Sequence, residues 1–147
     1  MPVTWLARLL EYQLFGLSAG AYHLVNVLLH MANDNYIAQN NLGVAMREKG
    51  SLEQAAIHIH EAVNIWPQVP EANKNLADIL VQAGRLDQAI RHYRQALQRR
   101  PGWTEAHNNL GLALAQQGKL EEAVQHFTRA AELDPKGEII QSNLTLA

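Results

Sequence analysis

Apolar residues along this chain fall three and four apart in two runs separated by a glycine, and the pair of runs then repeats. In the first clear unit one run holds Ala38, Leu42, Ala45 and Met46, Gly50 interrupts it, and the second holds Ala55, Ile59, Ala62 and Val63. Such spacings place the residues on one stripe of a helix, so each run predicts an amphipathic helix with a single buried face. Gly50 suits the positive φ that closes a helix, and Ser51 is placed to cap the next one. Pro67 ends the second helix because it has no N–H to donate. The unit is a helical hairpin.

The hairpin recurs with a step of 34 residues. Leu42, Leu76 and Leu110 mark the step, as do Gly50, Gly84 and Gly118, and likewise Ala55, Ala89 and Ala123. Ala62, Ala96 and Ala130 keep it, and so do Pro67, Pro101 and Pro135. A period of this length in helix-forming sequence predicts a solenoid, in which each hairpin buries its apolar face only against its neighbours. The units are 36–69, 70–103 and 104–137, and 138–147 opens a fourth with Ile140, Asn143 and Leu144. An unfinished fourth unit leaves Ile140 and Leu144 without a covering helix, which would allow the array to self-associate as a homo-oligomer.

Further columns sharpen the pattern. A small residue follows each marker leucine (Gly43, Ala77, Gly111), and a large one stands in each second helix (Ile59, Tyr93, Phe127). Over residues 36–137 this resembles the tetratricopeptide repeat (TPR) family, with Gln39, Asn73 and His107 where the family favours a tryptophan. The resemblance implies an all-α, right-handed solenoid of helical hairpins. Its concave face, built from the first helices, would bind a peptide segment of another protein as an interaction scaffold.

Residues 1–35 keep the frame only in part, through Trp5, Tyr12, Gly16 and Ala21, and Asn33 stands where proline is expected. They predict two helices, over 4–14 and 18–32, forming a degenerate N-terminal cap on the array. The run 3–30 also resembles a segment of TPR-containing membrane glycosyltransferases of the O-mannosyltransferase type. That resemblance implies a non-catalytic remnant, a fragment or shortened relative that keeps the binding array.

Composition removes several alternatives. At 147 residues the chain has the size of one domain, and its net charge of −2 gives no polybasic footprint for nucleic acid. Without cysteine there is no disulfide, thiol nucleophile or thiolate metal site. The most apolar stretch, 19–32, is shorter than the ~20 residues of a spanning helix and is interrupted by His23, Asn26 and His30. No signal-peptide pattern precedes it. A soluble, cytoplasmic chain is the default expectation. With no Gly-rich phosphate loop, nucleophile elbow or recognisable carboxylate pair, neither enzyme chemistry nor a cofactor is expected.

Asn41, Asn75, Asn109 and Asn143 form another column, one residue before each marker leucine. Facing the groove, these amides could pair with the backbone of an extended peptide, as in the asparagine ladder of O-GlcNAc transferase arrays that the column resembles. Alternatively they bond to neighbouring helices. The rest of the groove is expected from Asn40, Val44 and Arg47, then Lys74, Asp78 and Val81, then Asn108, Leu112 and Ala115. TPR domains that clamp chaperone C-terminal carboxylates require a lysine followed four residues later by asparagine. Here Lys74 is followed by Asp78, which would repel such a tail.

His58, His92 and His126 make a histidine column, with His60 close to the first. Equivalent residues on successive repeats lie on helices whose axes are about 8 to 10 Å apart, too far to share one ion at about 2.0 to 2.1 Å. No metal site is expected, and the column reads as a half-exposed position tolerant of an amphipathic ring. Arg91, Arg94, Arg99 and Arg100 concentrate positive charge on one second helix, but Glu121, Glu122 and Glu132 answer in the next repeat. That pattern predicts a solvated outer face, with charge suited to a helix end.

Overall fold

The computed structural model describes residues 19–137 and Asn143, and among these it contains six helices and no strand. They are α1 (Ala19–Glu48), α2 (Leu52–Ile65), α3 (Pro70–Gln82), α4 (Leu86–Arg99), α5 (Thr104–Gln116) and α6 (Leu120–Leu133). The chain divides into two compact units, 1–35 and 36–147. In the second, the hairpins α1–α2, α3–α4 and α5–α6 stack through α2 on α3 and α4 on α5, while α3 also reaches α5. This is the all-helical hairpin solenoid that the 34-residue step predicts.

Small residues opposite large ones set the close approach within a hairpin. Gly111 on α5 lies under Phe127 of α6, and a Cβ there would come within 2.6 Å of the ring. Gly43 meets Ile59 in the same manner. Ile59, Tyr93 and Phe127 are almost completely buried and join Leu76 and Leu110 in one continuous core. Burying a side chain of this size is worth roughly 1.5–3 kcal/mol, so the large column carries much of the packing energy.

Backbone bonds alone form each hairpin turn. Gly50, Gly84 and Gly118 take φ values of 80°, 73° and 78°. That conformation lets the Gly50 N–H reach the Arg47 carbonyl (2.9 Å) and the Ser51 N–H reach that of Met46 (3.0 Å), satisfying carbonyls that a helix end leaves free. The Ser51 hydroxyl makes no capping bond, contrary to the sequence expectation. Arg85 and Lys119 hold the same place without any capping oxygen, and the same turn forms around them. Each second helix stops two residues before its proline, at Ile65, Arg99 and Leu133.

Two further expectations need correction. The helix predicted to end at residue 32 does not end there, because α1 continues through Asn33, Asp34 and Asn35 to Glu48. Those residues are mediocre helix formers, but none removes an N–H or adopts a positive φ as Pro or Gly would. The apolar stripe of the first repeat is also less buried than its copies. Leu42 is 40% exposed, against 2% for Leu76 and 0% for Leu110, and Ala38 and Ala45 are exposed as well. Leu76 and Leu110 follow a second helix that covers them, whereas no separate helix precedes α1 among the described residues. The predicted helix over 4–14 and the apolar residues Ile140 and Leu144 lie outside the described residues.

Candidate functional site

The first helices of the hairpins, α1, α3 and α5, present equivalent faces to an open groove of about 490 Å³. Arg47, Asp78, Val81, Asn109 and Leu112 line it, and Tyr93 reaches its floor from α4. Leu112 is 39% exposed, while Val44, Val81 and Ala115 are half-buried against the core. The groove therefore offers apolar contact at one side of a polar floor.

Asp78 is the centre of that floor. Its Oδ1 accepts from the Tyr93 hydroxyl at 2.5 Å and from Asn109 Nδ2 at 3.2 Å. Its Oδ2 takes Lys74 Nζ at 2.9 Å and Arg47 Nη1 at 3.3 Å. Lys74, which is buried, also donates to Glu105. One carboxylate thus joins side chains from three successive hairpins, and its roughly four lone-pair positions are all occupied.

The charges inside this network are locked. Burial by itself would lower the Lys74 ammonium, but the hydrogen bond to Glu105 and the charge of Asp78 outweigh it and hold the group above its ordinary range. Burial, with the Asp78 charge adding to it, pushes the Tyr93 phenol far above its usual value, so the hydroxyl stays a donor.

The asparagine column connects inner helices. Asn75 Nδ2 donates to Asn40 Oδ1 at 3.0 Å, and Asn143 Nδ2 donates to Asn108 Oδ1 at 2.9 Å. Each bond runs back by one repeat plus one residue. For Asn109 that partner would be Lys74, which has no acceptor, and the amide turns to Asp78 instead. Asn109 Oδ1 in turn accepts from Asn108 at 3.4 Å, and Asn41 is exposed. Asn75 and Asn109 each spend one N–H on a cross-helix bond, and among the described residues no partner takes the second.

The histidine column has partners that its own spacing does not reveal. The Nδ1 atoms of His58, His92 and His126 lie 2.7, 3.1 and 3.0 Å from Gln39 Oε1, Asn73 Oδ1 and His107 Nδ1. These are the three polar residues at the tryptophan position, each nineteen residues earlier. Asn73 further donates to the carbonyls of Pro67 and Val69, and His107 Nε2 lies 3.0 Å from the Pro101 carbonyl. Polar residues at both columns thus form a bonded pair in each hairpin, and in the second and third hairpins Asn73 and His107 also pin the preceding turn. Each was visible separately in the sequence, and the repeated separation of nineteen was the signal that joins them. Among the described residues no group of three metal-ligating side chains forms.

On the outer face, Arg94 pairs with Glu122 at 2.6 Å, and Arg100 lies 3.4 Å from Glu71 and over the Trp103 ring. Half of the arginine cluster is thereby matched by acid. No helix among the described residues is long and apolar enough to cross a membrane.

Two family models described as tetratricopeptide repeat match this chain, over residues 34–102 and 74–138. Both lie wholly outside 3–30, so the glycosyltransferase resemblance gains no support from them. Among solved structures, the first TPR of Spaghetti (RPAP3) bound to HSP90 peptide SRMEEVD is similar with a TM-score of 0.75 at 20% identity, over 77% of this chain and 90% of that one. The second TPR domain of human RPAP3 in complex with an HSP70 peptide gives 0.75 at 20% identity, over 78% and 96%. MamA gives 0.74 at 18% identity, over 92% and 80%. No curated protein matches the chain.

Proposed function

Residues 34–138 belong to the tetratricopeptide repeat family, and we propose that the chain is a non-catalytic interaction scaffold whose inner groove holds a segment of another polypeptide. The observation that carries this reading is the groove itself. Its polar floor is fixed by the Asp78 network before any ligand arrives, while Val81 and the exposed Leu112 supply apolar contact beside it. A preorganised surface spares a ligand part of the ordering cost of binding. Spare amide N–H groups of Asn75 and Asn109, with the exposed Asn41, are placed to meet a peptide backbone.

A chaperone-type acidic tail fits this groove poorly. In it Lys74 is already held by Asp78 and Glu105, and Arg47 by Asp78, so among the described residues no cation on the inner face is free to clamp a carboxylate. An internal, extended segment held by amides and apolar contacts is the better match.

The test is selection of a displayed peptide library on the immobilised protein, followed by fluorescence anisotropy with an enriched sequence. Leu112→Arg should weaken binding at least about tenfold, the equivalent of about 1.4 kcal/mol. Ile57→Arg, at an exposed residue of the outer helix α2, should leave it unchanged. Enrichment of nothing, or equal loss in both variants, would remove the groove as the site.

A further inference from the structure

The inner helices of the second unit carry more acid than base. Over residues 36–48, α1 brings Arg47 and Glu48; α3 brings Glu71, Lys74 and Asp78; α5 brings Glu105. Two cations face four carboxylates, a net −2. Both cations are spent inside the array, on Asp78 and Glu105. Glu71 takes Arg100, which follows the end of α4. Glu48 lines the groove with Val81 and Leu112 and has no ion-pair partner among the described residues. The turn residues Lys49, Arg85 and Lys119 lie outside the groove lining. Lys49 directly follows the C-terminus of α1, while Arg85 and Lys119 stand at the N-terminal ends of the outer helices α4 and α6.

Resting on the peptide-binding reading above, we propose that the groove selects segments carrying a lysine or arginine beside an apolar residue. The cation pairs with Glu48 and the apolar side chain seats on Val81 and Leu112. A basic segment meets the unpaired carboxylate of Glu48, whereas an acidic one meets that charge with no free cation among the described groove residues to offset the repulsion, because Asp78 already holds Arg47 and Lys74. The preference therefore runs opposite to the acidic peptides named for the RPAP3 structures.

Three pools of labelled peptides with identical apolar positions and net charges of about +2, 0 and −2 test this by anisotropy at low and high salt. At about 20 mM salt the basic pool should bind at least about tenfold tighter than the acidic pool, and at about 500 mM the gap should close as screening removes it. Glu48→Gln should narrow the gap, while Glu61→Gln on the outer helix α2 should not. Equal affinity across the pools, or a preference for the acidic one, overturns the charge selectivity and leaves peptide binding standing. Absence of binding by every pool overturns both.

Discussion

The Tyr93 hydroxyl donates to the Asp78 carboxylate at 2.5 Å, tying the outer helix α4 to the inner face of α3. Because Asp78 also holds Arg47 of α1, Lys74 of α3 and Asn109 of α5, this one contact closes a network spanning three hairpins. Tyr93→Phe keeps the buried ring and removes only the donor. Hydrogen bonds to charged groups are worth about 1.5–3 kcal/mol, and a loss of that size is expected in urea unfolding. A loss below about 0.5 kcal/mol would show that Asp78 is satisfied without Tyr93.

The cross-helix amides contribute to stability as well as to the groove. Asn75→Ala combined with Asn109→Ala removes the bonds to Asn40 and Asp78. Circular dichroism should show unchanged helicity, while unfolding free energy falls by about 1 kcal/mol for the bond to Asn40 and by about 1.5–3 kcal/mol for the bond to the charged Asp78. Unchanged stability with weakened peptide binding would mean that the amides serve the ligand alone.

Close approach of α5 and α6 depends on Gly111. Gly111→Ala places a Cβ within 2.6 Å of the Phe127 ring, and overpacking of this kind costs about 1–3 kcal/mol. Phe127→Leu in the same chain should recover part of the loss, giving a non-additive double-mutant cycle. Additive losses would contradict direct contact.

Stability should fall on mild acidification. Next to the Pro101 carbonyl, His107 Nε2 carries a hydrogen, which leaves Nδ1 to accept from His126 when His107 is neutral. Burial, then the neighbouring His107 and Arg94, lowers the His126 pKa below 6.5, and burial with His60 and Arg91 does the same for His92. Lowered folded values mean that the unfolded chain binds more protons just below pH 6.5, so stability declines as pH falls through that value and levels off below the folded ones. Urea midpoints measured from about pH 7.5 to 5 should show this slope, and His126→Gln should flatten it. An identical slope in the variant would contradict the assignment.

The array was legible because solenoid contacts repeat at fixed sequence separations. Gly111 under Phe127 and Gly43 under Ile59 are the small and large columns meeting at one offset, and a column read once is read three times. The Asp78 network escaped the same reading for the opposite reason. Its position holds Val44 in the preceding repeat and Leu112 in the following one, so nothing periodic marks it, and its four bonds arise only when three hairpins stack. The continuous α1 escaped because Asn33, Asp34 and Asn35 look like a break, whereas a helix ends only where something takes away its bonds. Ser51 misled in a similar way, since a capping residue stood at a turn that glycine geometry already closes.

The most direct measurement is amide chemical-shift mapping of an enriched peptide on the isotope-labelled full chain. Shifts should concentrate on Glu48, Val81, Asn109 and Leu112, along the inner helices, and leave Ile57 and Arg91 on the outer helices unmoved. Shifts confined to the outer helices, or none at saturating peptide, would contradict a groove built to hold another polypeptide.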